Sequence, residues 1–291
     1  MSNYQPFHAN PTKPAHNLPK KSCDSQFHVF GPPDKYPVRK GAAYEMPSAT
    51  IDLALKLHRI LGIERGVIVQ ATTYGADHSV VIDALRLAGS GYRGCANAAV
   101  LLERDDLYLQ ELHDAGVRGA RFSRQGLGIS MSSVEFERAI ARVRELGWYV
   151  KFQPEPHGMV EQAEQFQDLD IPVVLDHMGR ADPTLGDQDP TLQLMLELLK
   201  RGNFWVMLSL TEKISRLGFP WDDVVPLAQS LIEAAPDRIV WGSDWPHPVS
   251  VHAPPDEALL VNQLHRYVAG DADLLRRVLV INPSQIFGFM P

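Results

Sequence analysis

A chain of 291 residues carrying 28 basic against 35 acidic side chains has a formal charge of −7 and no basic stripe to neutralise a phosphate backbone, so nucleic acid is not an expected partner. With 45% hydrophobic and 22% charged residues it has material for a large core, which excludes a wholly disordered chain, and no apolar run approaches the roughly 20 residues of a membrane span. No charged and apolar leader opens the chain, and Cys23 and Cys95 sit in separate apolar runs as small buried hydrophobes, so a reducing cytoplasm is the expected location.

Residues 1–21 carry Pro, Asn and Lys without an apolar period and are expected as an extended arm, with one folded unit over 22–291. Short β-branched or apolar runs then alternate with helical stretches. The runs predict strands at 23–30, 66–70, 92–98, 117–122, 149–153, 172–177, 204–209 and 239–244. Between them lie amphipathic segments such as "IDLALKLHRILG", "DDLYLQELHDAG" and "LQLMLELLKRG", several closing on a glycine suited to a left-handed cap. Eight such βα units close most naturally into a (β/α)8 TIM barrel of the α/β class, whose usual size is about 250 residues. An open doubly wound sheet is the alternative, but no G-x-G-x-x-G follows the first strand.

In a barrel of this kind the chemistry sits where strands end, so strand ends are the places to search. The first ends in "SQFHVFGP", and because side chains repeat every two residues along a strand, Gln26 and His28 share a face. The other ends supply Arg121 in "RGARFSR", Gln153 in "VKFQPEPHG", His177 in "VVLDHMGR" and Asp244 in "IVWGSDWPHP". Each has an ordinary structural alternative, a hydrogen-bonded histidine or a capping aspartate, yet together they point to one shared cavity. His247, three residues after Asp244, either steadies that carboxylate or touches substrate.

"DSQFHVFGP", "GVIVQAT", "VRGARF", "VVLDHMGR", "RIVWGSDWPHP" and "NPSQIFGF", in that order from Cys23 to Phe289, resemble the amidohydrolase superfamily, in particular the branch of 2-pyrone-4,6-dicarboxylate lactonase and the sugar-acid lactonases. The resemblance implies a hydrolase that opens a small anionic lactone. Many members hold divalent metals on a first-strand His-x-His. Here the first of that pair is Gln26, leaving His28, His177 and Asp244 as the ligands if a metal were present. Glutamine is a poor zinc ligand beside imidazole, and the lactonase branch is understood to work without metal, so no cofactor is expected.

On that reading Asp244 is the general base for water, and His28 and His177 polarise the carbonyl. Arg121 matches an arginine that binds the substrate acid, for which a planar fork is suited. Arg124 and Lys213 are further cations, while Tyr44 and Thr72 match residues beside the substrate. Two departures from the pyrone lactonase pattern, Gly126-Leu127 where a second arginine is usual and Gln153 near a usual tyrosine, argue against a dicarboxylated pyrone. The Gln-x-His variant resembles galactarolactone isomerase, which shifts a lactone ring rather than opening it. A metal-dependent decarboxylase or hydratase and a non-catalytic binding barrel are the remaining alternatives. Assembly of the chain with itself is left open.

Overall fold

The computed structural model describes residues 4–123, 131–156 and 159–290. Eight parallel strands follow one another around a single sheet: β1 (Cys23–Phe27), β2 (Arg65–Val69), β3 (Tyr92–Asn97), β4 (Val117–Phe122), β5 (Tyr149–Phe152), β6 (Val173–Leu175), β7 (Phe204–Leu208) and β8 (Ile239–Trp241). Each pairs in parallel with the next. The expected eight-stranded barrel is therefore the architecture found. The helices Ile51–Leu61 and Asp106–Ala115 end on Gly62 and Gly116 with φ of 81° and 112°, a conformation that costs a glycine nothing.

Every strand but β4 stops one to three residues short of its expected end, β1 at Phe27 rather than Phe30. β6 finishes at Leu175 rather than His177 and β8 at Trp241 rather than Asp244. His177 and Asp244 have φ of 54° and 60°, which no strand accommodates. The chain turns there and leaves both side chains at the barrel mouth.

The core has two parts. Cys23, Val67, Cys95, Tyr149, Val174, Trp205 and Val240 belong to one apolar cluster, joined by Phe287 and Phe289 of the C-terminal segment. A Cβ on Gly119 would lie 2.4 Å from the Tyr149 ring, so a residue without one on β4 makes room for the tyrosine of β5. The second, larger cluster seals the helices against the sheet. Both cysteines are buried and free. Among the described residues no helix is long and apolar enough to cross a membrane.

The barrel closes between β8 and β1, and the seam is short. Asp244 N–H donates to Gln26 O at 2.9 Å, and His28 N–H donates to Trp245 O at 2.7 Å. The Asp24 carboxylate adds a third tie, accepting from Ser243 N–H at 2.9 Å and from its hydroxyl at 2.5 Å. A Cβ on Gly242 would fall 2.7 Å from the Gln26 backbone nitrogen, so only glycine allows this approach. The register of β1 also slips between Asp24 and Phe27. Across that bulge Cys23 and Phe27, four residues apart, join different core clusters, and the face carrying Gln26 and His28 is turned inward.

The N-terminal arm lies along its own barrel. Its Gln5 N–H donates to Ser250 O at 2.8 Å, and Thr12 donates from backbone and hydroxyl to Asp256 at 3.0 and 2.6 Å.

Candidate active site

A cavity of about 300 Å³ opens at the C-terminal ends of the strands. His28, Tyr44, Thr72, Arg121, Gln153, His177, Lys213 and Asp244 all line it, so eight of the residues singled out in the sequence meet in one place. Three remain. Arg124 lies outside the described residues. Gln26 is fully buried and reaches the cavity through Asp244 and His177. His247 is fully buried and held away from it, which removes the direct substrate contact foreseen as one of its two roles.

Asp244 is the centre of the arrangement. Its Oδ1 accepts a hydrogen bond from the Gln26 amide at 3.0 Å and lies 3.3 Å from His28 Nε2. The other His28 nitrogen, Nδ1, is 2.7 Å from the Val69 carbonyl, so the ring is held between two oxygens. Among the described residues the hydrogen bonds to Asp244 side-chain oxygens fall on Oδ1, leaving Oδ2 to the cavity. Burial alone would raise this carboxyl. The hydrogen bond from His28 and the nearby positive groups outweigh it and hold Asp244 well below the usual carboxylate range.

His177 opens a run of left-handed residues, with φ of 54°, 48°, 62° and 54° from His177 to Arg180. Strain of this kind collects where side chains must be aimed. The run turns both His177 and Arg180 into the cavity, and a Cβ on Gly179 would strike Thr191 at 2.7 Å. His177 Nδ1 is 2.9 Å from the Ser209 hydroxyl, while Nε2 lies 3.5 Å from Asp176 and 3.4 Å from Gln26 Nε2. Burial pushes the His177 imidazole down to about 4, against the charges of Asp176 and Asp244, so it is neutral near pH 7.

Cations ring the other side. Arg121, nearly buried, has Nη2 tied to Gln70 O at 2.8 Å, and Lys213 Nζ is tied to Pro248 O at 2.9 Å. Arg180 is the third. Tyr44 and Thr72 touch each other, the Thr72 hydroxyl donating to the Tyr44 oxygen at 3.2 Å. Such a wall suits a small molecule bearing negative charge.

Several supporting residues escaped the sequence reading. Asp24 stands two residues before Gln26, on the alternation that drew attention to Gln26 and His28, and is the one a closer look at "DSQFH" would have found. Lys151 and Asp176, 3.3 Å apart and fully buried behind His177, and Glu212 and Glu257 on either side of His247, carry no signal that a single sequence reveals.

Residues 7–289 match the family model described as "Amidohydrolase". The chain belongs to this family. Among curated relatives, a 4-sulfomuconolactone hydrolase of Hydrogenophaga intermedia is 35% identical over 97% of this chain and 92% of its own length. A 2-pyrone-4,6-dicarboxylate hydrolase of Comamonas testosteroni is 36% identical over 97% and 94%. A D-galactarolactone isomerase of Agrobacterium fabrum is 27% identical over 96% and 95%.

Membership raises the question of a divalent metal, and the residues present do not fit one. Gln26 turns the N–H edge of its amide toward Asp244 and His177, where a metal would need lone pairs. Reversing the amide would press its oxygen against the Asp244 carboxylate. Among the described residues no three His, Cys, Asp or Glu side chains are grouped so as to hold a metal ion.

Proposed function

We propose that the protein opens an anionic lactone by adding water to its carbonyl, without a metal. The observation that carries this reading is the buried Asp244 carboxylate, met on Oδ1 by Gln26 and His28, in a cavity ringed by Arg121, Arg180 and Lys213. The two lactone hydrolases among its relatives support the choice of reaction.

The steps follow from the positions. Arg121, with Thr72 and Tyr44 beside it, takes the substrate's anionic group in a charge-assisted hydrogen bond. A water between Asp244 Oδ2 and the lactone carbonyl carbon gives its proton to Oδ2 as its oxygen bonds to that carbon. The developing oxyanion is stabilised by the His28 and His177 imidazoles that line the cavity and by the positive charge of Arg180 and Lys213. The ring carbon–oxygen bond then breaks, and the proton held on Asp244 passes to the departing oxygen. A hydroxy acid, or its keto tautomer where the departing oxygen is enolic, leaves the site. An ester makes this feasible, because its alkoxide or enolate leaves far more easily than an amine.

The second reading is a ring shift, favoured by Gln26 and by the isomerase relative. There Asp244 moves a proton between two hydroxyls of the substrate and no water is added. One experiment separates them: lactones bearing carboxylate or sulfonate groups are incubated with chelator-treated protein in water enriched in oxygen-18. Ring opening with one heavy oxygen in the new carboxylate is the expected result. A shifted, unlabelled lactone would replace the first reading by the second, and activity abolished by chelator and restored by metal would remove the metal-free mechanism.

A further inference from the structure

Among the described residues, all but one of the side chains lining the cavity come from the barrel and its loops. The exception is Tyr4, from the N-terminal arm. Its ring stands edge-on to Tyr44, centroids 6.5 Å apart at 84°, and it shares the lining with Ala43, Pro248 and Val249. The arm is fastened where this matters. Phe7 packs on the indole of Trp245, the residue after Asp244, with centroids 5.0 Å apart, and Gln5 is bonded to Ser250 in the same loop. Thr12 on Asp256 and Ala15 on Asn262 at 2.8 Å anchor it further along.

We propose that the arm is a wall of the active site and that Tyr4 selects the ring of the substrate, favouring a flat, unsaturated lactone over a puckered, hydroxylated one. The inference rests on the anionic lactone reading and adds the ring class. A flat ring can lie against the phenol in the offset or edge-on geometry that aromatic pairs prefer, which gains about two- to tenfold in affinity. A hydroxylated ring in the same place would turn hydroxyls toward Ala43, Pro248 and Val249, where they lose water and gain no partner.

The test uses two unreactive probes with the same charges on different rings, benzene-1,3-dicarboxylate and cyclohexane-1,3-dicarboxylate, titrated calorimetrically into the full-length protein. Wild type is expected to favour the flat ring by about tenfold, and Tyr4→Ala to bring the two within about twofold by weakening the flat one alone. Tyr4→Phe should keep the preference. Tyr4 is only half-buried, so Tyr4→Ala should melt with the wild type. A Tyr4→Ala protein that keeps the preference, an equal loss for both rings, or a wild type that binds neither or makes no distinction overturns the proposal. If the preference depends on Tyr4 while wild type opens no anionic lactone, ring selection stands and the reaction assignment falls.

Discussion

The Gln26 amide donates a 3.0 Å hydrogen bond to the same Asp244 oxygen that faces His28, across the seam where β8 meets β1. A neutral donor thus occupies the position at which the family often has an imidazole. It stabilises the ionised carboxylate without carrying charge. Gln26→Leu, which keeps much of the volume and removes the donor, is expected to raise the Asp244 carboxyl. The acid limb of kcat/KM then moves to higher pH, and kcat falls about tenfold. A variant with an unchanged pH profile would show that the amide does not tune the base.

Asp244 and Arg121 are expected to fail in different ways. Asp244→Asn removes the proton acceptor and should lower kcat by about 10²- to 10⁴-fold with little change in KM. Arg121→Met removes the fork for the substrate's acid and should raise KM about 10- to 100-fold, with the smaller effect on kcat. Steady-state kinetics on any turned-over lactone decides both. Near-normal turnover by Asp244→Asn would end the mechanism.

The pH profile follows from two buried groups. Asp244 lies well below the usual carboxylate range, so it is ionised throughout the neutral region. His177 has been pushed down to about 4 and is neutral there. With the base ionised and the His177 imidazole neutral, kcat/KM should be level from about pH 5 to 8 and fall only in stronger acid, as Asp244 gains a proton. A fall with its midpoint above the ordinary carboxylate range would show that the groups around Asp244 do not hold it ionised.

Much of this site was legible because a barrel gathers strand ends from all along the chain. Gln153, His177 and Asp244 were found by asking what stands after each apolar run, and the architecture did the rest. Boundaries were less legible. Nothing in "VVLDHMGR" announces that His177 and its followers turn left-handed, because that conformation is imposed by packing such as Gly179 against Thr191. The fate of His247 was hidden for a similar reason. Its partner Glu212 follows β7 and its partner Glu257 begins a later helix, and only tertiary structure brings them to one imidazole. Tyr4 sits in a segment whose composition reads as a loose arm, and its place in the cavity follows from anchors as far away in sequence as Asp256.

The His247 arrangement leads to a prediction about stability. Its Nδ1 is 3.1 Å from Glu212 and its Nε2 3.4 Å from Glu257, with the imidazole and Glu257 fully buried. Burial opposes the charged imidazole, but the hydrogen bonds and charges of the two carboxylates prevail and lift it to about 10. Since the folded value lies above the unfolded one near 6.5, the stabilisation is complete below about pH 6.5 and is lost as pH rises toward 10. Glu257→Gln leaves one carboxylate on the ring and lowers the folded value, so less of this stabilisation remains at pH 7 and its loss ends at lower pH. Breaking such a buried pair costs about 3–5 kcal/mol. Melting curves of both proteins from pH 6 to 10 should therefore show a gap that is wide at the acid end and narrows toward pH 10. Parallel curves across that range would mean that the imidazole is not charged in the folded protein. The same loop carries Asp244, whose carbonyl accepts the His247 N–H at 2.7 Å, so a loosened ion cluster should also lower kcat.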